Sequence, residues 1–398
     1  MMNRYYCRAS IAALAAAFSL VMVSGWLLHA RAASDDPIII EGTASLKRLV
    51  KIAITGFAAE VQNVLRFDLE VAGFEVVAAD QAQFLVESTG QGQVGGAVTD
   101  RISRNVVLAK AFSGGGMRSQ AHAFSDAIVE KLTGQTGIAQ TRVAFKVSTG
   151  DTSEIYVSDY DGHNPLAITQ DRTIVAAPAW GPANQWLFYT SYRLGNPDIF
   201  SHNLQTGERK IVARYTGLNT SAAVSPDGRR IAMVLSKGGS PDIYVADIGG
   251  GNLRQCTTTK QDESSPCWSP DSRTLCFTSR VSGRAALYTM PADGGSMKRL
   301  STTGVINTTE PDWSPDGQSI VFTSMMGSFQ ICVLNLKTGN TSVLCAGEDP
   351  AWAPNSRTVM FVRRQGSQRV LSLLDVPTKR VKDIARISGS SSQPAWAR

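Results

Sequence analysis

Histidine is nearly missing from this chain, with four in 398 residues, and that scarcity removes much enzyme chemistry. His29 falls in an N-terminal leader-like stretch, and His122, His163 and His202 stand in three unrelated contexts. A serine, threonine or cysteine nucleophile needs a base beside it. No G-x-S-x-G occurs, so the strand-turn-helix hydrolase elbow is absent as well. Cysteine is also sparse, six in all and never as C-x-x-C, and no Cys/His cluster has zinc-ligand spacing. Lysine and arginine form no run, which fits ordinary solvated surface rather than a nucleic-acid footprint. "SGGGM" from Ser113 lacks the Gly-Lys-Ser/Thr ending of a phosphate loop and reads as a glycine-rich turn into a helix. No cofactor and no catalytic set are expected.

The first residues look like a targeting segment. Arg4 and Arg8 give a basic start, Ile11 to Leu28 is nearly all apolar, and Ala30-Arg31-Ala32 has the small-x-small form of a cleavage site. Cleavage after Ala32 and export are expected; the alternative is an uncleaved anchor, since the apolar run sits at the lower edge of a spanning length. Removing residues 1–32 takes away Arg4, Arg8 and Arg31 and no acid, so the formal charge falls from +6 to +3. Of the five remaining cysteines, Cys267 and Cys276 flank "SPDS", and Cys332 and Cys345 flank Thr338-Gly339. Either pair can face across a hairpin, or all can be small buried thiols, and a one-residue register change decides.

What is abundant is repetition. Trp180, Val224 in the matching frame "AAVSPDG", Trp268, Trp313, Trp352 and Trp396 follow one another at intervals of 44, 44, 45, 39 and 44 residues, the period of a propeller blade. After each frame comes a Pro-Asp-Gly-like turn (Pro226-Asp227-Gly228, Pro270-Asp271-Ser272, Pro315-Asp316-Gly317, Pro354-Asn355-Ser356). An alternating strand with a small polar end follows, such as "LCFTS" from Leu275 or "IVFTS" from Ile320. Third and fourth strands complete each copy. Residues 142–169 match strands two to four of a blade but lack the tryptophan strand. The terminal "PAWAR" is predicted to supply it, placing Trp396 innermost and closing the ring.

Proline precedes the tryptophan by two places in five copies, at Pro178, Pro266, Pro311, Pro350 and Pro394. It is expected to open the innermost strand and to push its predecessor into extended geometry. Those predecessors, Ala177, Ser265, Glu310, Asp349 and Gln393, with Ser221 at the matching place, should ring one mouth of the channel. Glu310, Asp349 and Glu348 are either a cation site or solvated loop acids, the second being the commoner case. The tryptophans are expected to pack between blades.

Upstream the pattern changes. "LVKIAITGF" from Leu49 is a strand, Val61, Leu65 and Leu69 mark a helix stopping near Gly73, and "FEVVAA" and "FLVEST" are short strands. A second helix carries Ala121, Phe124, Ile128 and Leu132 on one face and ends at Gly134. The fold class is therefore mainly β: a six-bladed β-propeller closed by the C-terminal strand, preceded by a small α/β domain. Predicted boundaries are 1–32 for the leader, 33–140 for the α/β domain and 141–398 for the propeller.

"VSDYDGHN" (Val157 to Asn164), "HAFSDAIVEKLTGQTGIAQTRVAF" (His122 to Phe145) and the closing "PAWAR" resemble the TolB family, the periplasmic component of the Tol-Pal envelope system. The resemblance covers nearly all of the chain after the leader. It implies a monomeric, non-enzymatic adaptor serving outer-membrane integrity and constriction during division. Such an adaptor links a Pal-type peptidoglycan-associated lipoprotein, docked at the propeller mouth, to a TolA-type inner-membrane protein. The implied TolA contact is a flexible N-terminal segment, here Ile38, Ile39, Ile40 and Glu41. That segment can add as a strand to a partner's sheet or form an edge of its own domain.

The mouth residues implied are Asn219, Thr220, Ser221, Ser264, Ser265, Thr309, Glu310 and Asp349. They depart from the family pattern. A His-Asn-Gly-Ala-Pro-like loop is replaced by Leu218-Asn219-Thr220-Ser221-Ala222, matching only at Asn219. A Thr-Glu-Pro is replaced by Ser264-Ser265-Pro266, although Thr309-Glu310-Pro311 occurs one blade later. Either the cognate lipoprotein differs in step, or the chain is a paralogue with another partner; the reading from a different class is a propeller that binds carbohydrate or peptide.

Overall fold

The computed structural model describes residues 49–90 and 93–398. The leader and the segment Ile38, Ile39, Ile40, Glu41 lie outside the described residues.

β1 (Lys51–Thr55) is the axis of a five-stranded sheet of order β2-β1-β3-β4-β5, with β2 (Glu75–Val76), β3 (Phe84–Ser88), β4 (Val94–Asp100) and β5 (Val106–Phe112). β1 runs parallel to β2 and β3, and the remaining pairs are antiparallel. Of "FEVVAA" only Glu75 and Val76 pair. Two helices, α1 (Ala59–Val71) and α2 (Met117–Thr133), pack their apolar stripes on this sheet: Val61, Leu65 and Leu69 from the first, Ala121, Phe124, Ile128 and Leu132 from the second. α2 ends on Gly134 at φ 69, the left-handed cap the sequence called for.

Six four-stranded antiparallel sheets follow. With strands lettered a to d outward from the channel, blade 2 is Val175–Trp180, Trp186–Ser191, Asp198–Asn203 and Arg209–Ala213. Blade 3 is Asn219–Val224, Arg230–Leu235, Asp242–Asp247 and Arg254–Gln255; blade 4 is Glu263–Trp268, Thr274–Ser279, Ala286–Pro291 and Lys298–Arg299. Blade 5 is Thr308–Trp313, Ser319–Met325, Phe329–Asn335 and Thr341–Ala346; blade 6 is Glu348–Trp352, Thr358–Gln365, Gln368–Asp375 and Arg380–Asp383. Blade 1 takes strands b to d from Arg142–Thr149, Thr152–Asp159 and Leu166–Ala167, and strand a from Ser390–Trp396. The ring closes as the repeat count demanded.

Alternation along strand b sets the core. Phe145, Tyr189, Met233, Phe277, Phe322 and Phe361 occupy the same register place in successive blades and are all fully buried. Burying each contributes about 1.5–3 kcal/mol. Two tryptophans stitch neighbouring blades together, Trp180 Nε1 donating to Ala395 O at 3.0 Å and Trp268 Nε1 to Ala223 O at 2.8 Å, while Trp396 Nε1 donates to Thr141 Oγ1 at 2.7 Å and pins the closing strand to the start of its own blade. In the Ser-Pro-Asp turns the serine hydroxyl bonds the aspartate, as Ser269 does Asp271 at 2.6 Å.

The prolines correct an expectation. Pro178 and its equivalents lie inside strand a, and their predecessors are not extended: Ala177, Ser265, Glu310, Asp349 and Gln393 have φ between 51 and 55°, as does Ser221. The a–b register slips at each of these places. A bulge needs no ladder hydrogen bond from its extra residue, so proline fits there as well as at a strand start. Proline favours extended geometry in its predecessor, and the bulge overrides that preference at each of these places.

Register also separates the cysteine pairs. Cys267 and Cys276 are direct partners across strands a and b, whereas Cys332 faces Val343 and Cys345 faces Ile331 because of a bulge. All five described cysteines are free thiols.

Candidate functional site

The six left-handed residues stand at one end of the channel, where the loops between strands b and c and between d and the next a also emerge. Three carry side chains long enough to reach the next blade. Glu310 Oε2 accepts from the Asp349 N–H at 3.1 Å, Asp349 Oδ2 from the Gln393 N–H at 3.0 Å, and Gln393 Oε1 from the Ala177 N–H at 2.9 Å. This relay zips blades 5, 6, 1 and 2 together. From Ala177 through Ser221 to Ser265 the side chains are too short to continue it.

Burial and the facing Glu310 charge push the Asp349 carboxyl up to about 7, so near neutrality it carries a proton part of the time. Lys146, opposite Ser392 in blade 1, is held below the usual lysine range by burial and by Arg369. Glu348 turns away from the mouth: Arg369 lies 2.9 Å and Arg364 3.4 Å from its Oε1. The Arg364 guanidinium in turn covers the Phe329 ring at 5.5 Å, lining a groove of about 600 Å³ between blades 5 and 6 with Met325, Gly347, Val362 and Val381. Among the described residues no three His, Cys, Asp or Glu side chains are grouped to hold a metal ion.

The sequence-predicted residues divide. Ser221, Ser265, Glu310 and Asp349 come together on the mouth ring; Thr220, Ser264 and Thr309 stand one place earlier and are half-buried. Asn219 does not reach the surface. It is fully buried, its Oδ1 accepts from Tyr215 N at 2.8 Å, and its Nδ2 donates to the carbonyls of Tyr215, Gly217 and Pro197. Its place is that of a brace under the loop rather than a contact. The sequence did not single out Thr278, Thr323 and Lys146, which stand on strand b opposite Ser264, Thr309 and Ser392. The small polar ends of "LCFTS" and "IVFTS" were the available signal.

At the opposite end, where strands a turn into b, α1 and α2 meet the propeller through a buried polar cluster. Asp68 on α1 accepts from Tyr160 OH at 2.5 Å and pairs with His122 Nδ1 at 2.9 Å; His122 Nε2 lies 3.5 Å from Asp161, which also pairs with Arg118. Burial opposes charge on His122, but the Asp68 hydrogen bond and the Asp68 and Asp161 charges prevail and raise its pKa. Burial likewise works against Asp161, yet the His163 N–H, Arg118 and His122 hold it below the usual carboxylate range. Around this cluster Val71, Ile138, Tyr160, Ala353 and Trp396 form one apolar core, with Glu70 pairing with Lys382 at its edge. The motifs "HAFSD" and "SDYDGH" thus build a joint. Among the described residues no histidine bonds a serine, threonine or cysteine, and burial lifts the Cys332 and Cys345 thiols to about 11, far from a reactive thiolate at neutral pH.

Known proteins share this architecture. The family profile described as the TolB beta propeller domain matches residues 129–398. A stretch of 140 residues is 39% identical to the Tol-Pal system protein TolB of Desulfosudis oleivorans, covering 34% of this chain and 32% of that one. Another of 184 residues is 30% identical to the TolB of Alcanivorax borkumensis, covering 45% and 42%. The chain thus spans less than half the length of these curated relatives. The crystal structure of TolB from Acinetobacter baumannii superposes with a TM-score of 0.79 at 24% identity, over 88% of this chain and 97% of that chain, which shows a common fold.

Proposed function

The chain belongs to the TolB β-propeller family, and on that footing we propose that it is a periplasmic, non-catalytic adaptor of the Tol-Pal cell-envelope system. In this reading the propeller mouth receives a Pal-type lipoprotein, and the N-terminal segment around Ile38, Ile39, Ile40 and Glu41 reaches a TolA-type inner-membrane protein. The adaptor then serves outer-membrane integrity and constriction at division.

The mouth carries the reading. Six backbone bulges, at Ala177, Ser221, Ser265, Glu310, Asp349 and Gln393, repeat one backbone form around a ring while the side chain differs from place to place, and the relay takes up the N–H groups of Ala177, Asp349 and Gln393 only. A rigid scaffold with variable edge groups suits protein recognition. Placing the α/β region at the other end leaves the mouth uncovered by the described residues. No helix among the described residues is long and apolar enough to cross a membrane.

The test is cross-linking in intact cells from a photoreactive residue placed at Ser265 or Thr309. Recovery of a peptidoglycan-associated lipoprotein is expected, and of a TolA-type protein when the probe stands at Ile39. Capture of neither, under conditions that trap other Tol contacts, refutes the assignment of partners. Capture of a saccharide or a free peptide instead favours a ligand-binding propeller.

A further inference from the structure

Glu310 defines what a carboxylate does at this mouth. Its Oε2 accepts from the Thr323 hydroxyl on strand b of the same blade at 2.6 Å and from the Asp349 N–H on strand a of the next at 3.1 Å. One blade back, both donors recur without their acceptor. Thr278 holds in blade 4 the place of Thr323 in blade 5, opposite Ser264 as Thr323 is opposite Thr309. Thr278 is 3% exposed, and its Oγ1 is buried with no hydrogen-bond partner among the described residues. Glu310 N stands where Asp349 N stands, at φ 55 against 53°, and no described side chain accepts from it. What differs is residue 265, a serine whose hydroxyl ends short of the position that the Glu310 carboxylate fills.

An orphaned buried hydroxyl costs about 1–3 kcal/mol, and a group missing from the structure that takes it up is one of the few accounts of such an atom. The surroundings specify the charge of that partner. On the loops that emerge at this end of blades 2 to 4, Arg193, Arg214, Lys237, Lys260, Arg280 and Arg284 are exposed, and Asp262 is the one exposed acid among the described residues there. A positive rim steers an acidic segment toward the mouth and disfavours a basic one.

We propose that a carboxylate side chain of a partner protein enters the mouth beside Ser265 and is received by Thr278 Oγ1 and Glu310 N–H, the two donors whose counterparts Glu310 satisfies one blade on. The proposal rests on the mouth being a protein-docking surface and names the chemistry that docks there: an Asp or Glu on a projecting acidic loop. A charged acceptor makes a hydrogen bond roughly twice as strong as a neutral one, so the socket discriminates a carboxylate from the corresponding amide.

Ser265→Glu supplies the acceptor from within the chain. Its melting temperature should exceed that of the unaltered protein, and adding Thr278→Val should remove the gain; no gain, or a gain that survives Thr278→Val, overturns the socket. The occupant is tested by fluorescence anisotropy with a labelled Gly-Asp-Glu-Asp-Gly peptide against its Gly-Asn-Gln-Asn-Gly counterpart. The acidic peptide should bind about tenfold tighter than the amide one, and Ser265→Glu should weaken it by about tenfold. Equal binding of the two peptides, or no loss in Ser265→Glu, overturns the proposal.

The soluble domain of the Pal-type lipoprotein then separates the two readings. If it binds the unaltered protein and Ser265→Glu alike, the socket is refuted and the adaptor stands. If it fails to bind the unaltered protein, the assignment of that partner is refuted, and the peptide comparison still decides the socket.

Discussion

The two ends of the propeller treat polar groups in opposite ways. At the joint, Asp68, His122, Tyr160, Asp161 and Arg118 are drawn from α1, α2 and blade 1 and find one another. At the mouth, three of six places satisfy the next blade and three do not. The joint is a lock made of unique residues; the mouth is a repeated backbone form whose side chains differ from blade to blade. On the proposed reading the first end serves stability and the second recognition, since a partner can be bound only by groups that the fold has not already used.

Strand Ser390–Trp396 spans both ends, with Gln393 in the mouth relay and Trp396 against Tyr160 at the joint. Deleting residues 392–398 should therefore have the largest effect: blade 1 loses its inner strand and the propeller its single cooperative melt in calorimetry. An unchanged melt contradicts ring closure by this strand. Next comes Asp68→Ala, which strands Tyr160 OH and His122 inside the joint and should cost about 3 kcal/mol in chemical denaturation. A loss comparable to that of an exposed substitution shows the joint to be looser than its geometry.

The two ends should also separate by pH. Asp349 is raised from 3.8 to about 7, so its contribution is fully present below pH 4 and is lost as pH climbs through about 7. His122 is raised above 6.5, so the stability it adds in charged form is full below 6.5 and disappears at higher pH. Asp349→Asn should flatten stability between pH 4 and 7, and His122→Gln should flatten it above 6.5. Identical profiles for the two variants refute independent titration. The smallest effect is expected of Glu310→Gln, which keeps an acceptor for Thr323 and Asp349 N–H but removes the like charge facing Asp349. It should shift the Asp349 midpoint downward in an NMR titration with little change in melting temperature.

Much of this was legible in the sequence. Tryptophan spacing gave the blades, the missing strand before Arg142 gave the closure, and apolar periodicity gave both helices. The mouth was legible in position and not in geometry. That Ser265, Glu310 and Asp349 precede proline is plain from the chain, but their left-handed backbone is not, because it arises from the bulge that each inner strand makes against its neighbour. Asn219 looked like a contact by likeness and proved to be a buried brace. Cys332 and Cys345 looked symmetric about their turn and are offset by one bulge.

The sequence by itself determined the repeat, the strand alternation and the residue type at every mouth place, since these depend on local pattern and period. Only the tertiary structure decided which donors share an acceptor. Glu310 serves Thr323 and Asp349 while Thr278 is left without a partner, because residues about 40 positions apart in the chain meet only when one blade is laid against the next.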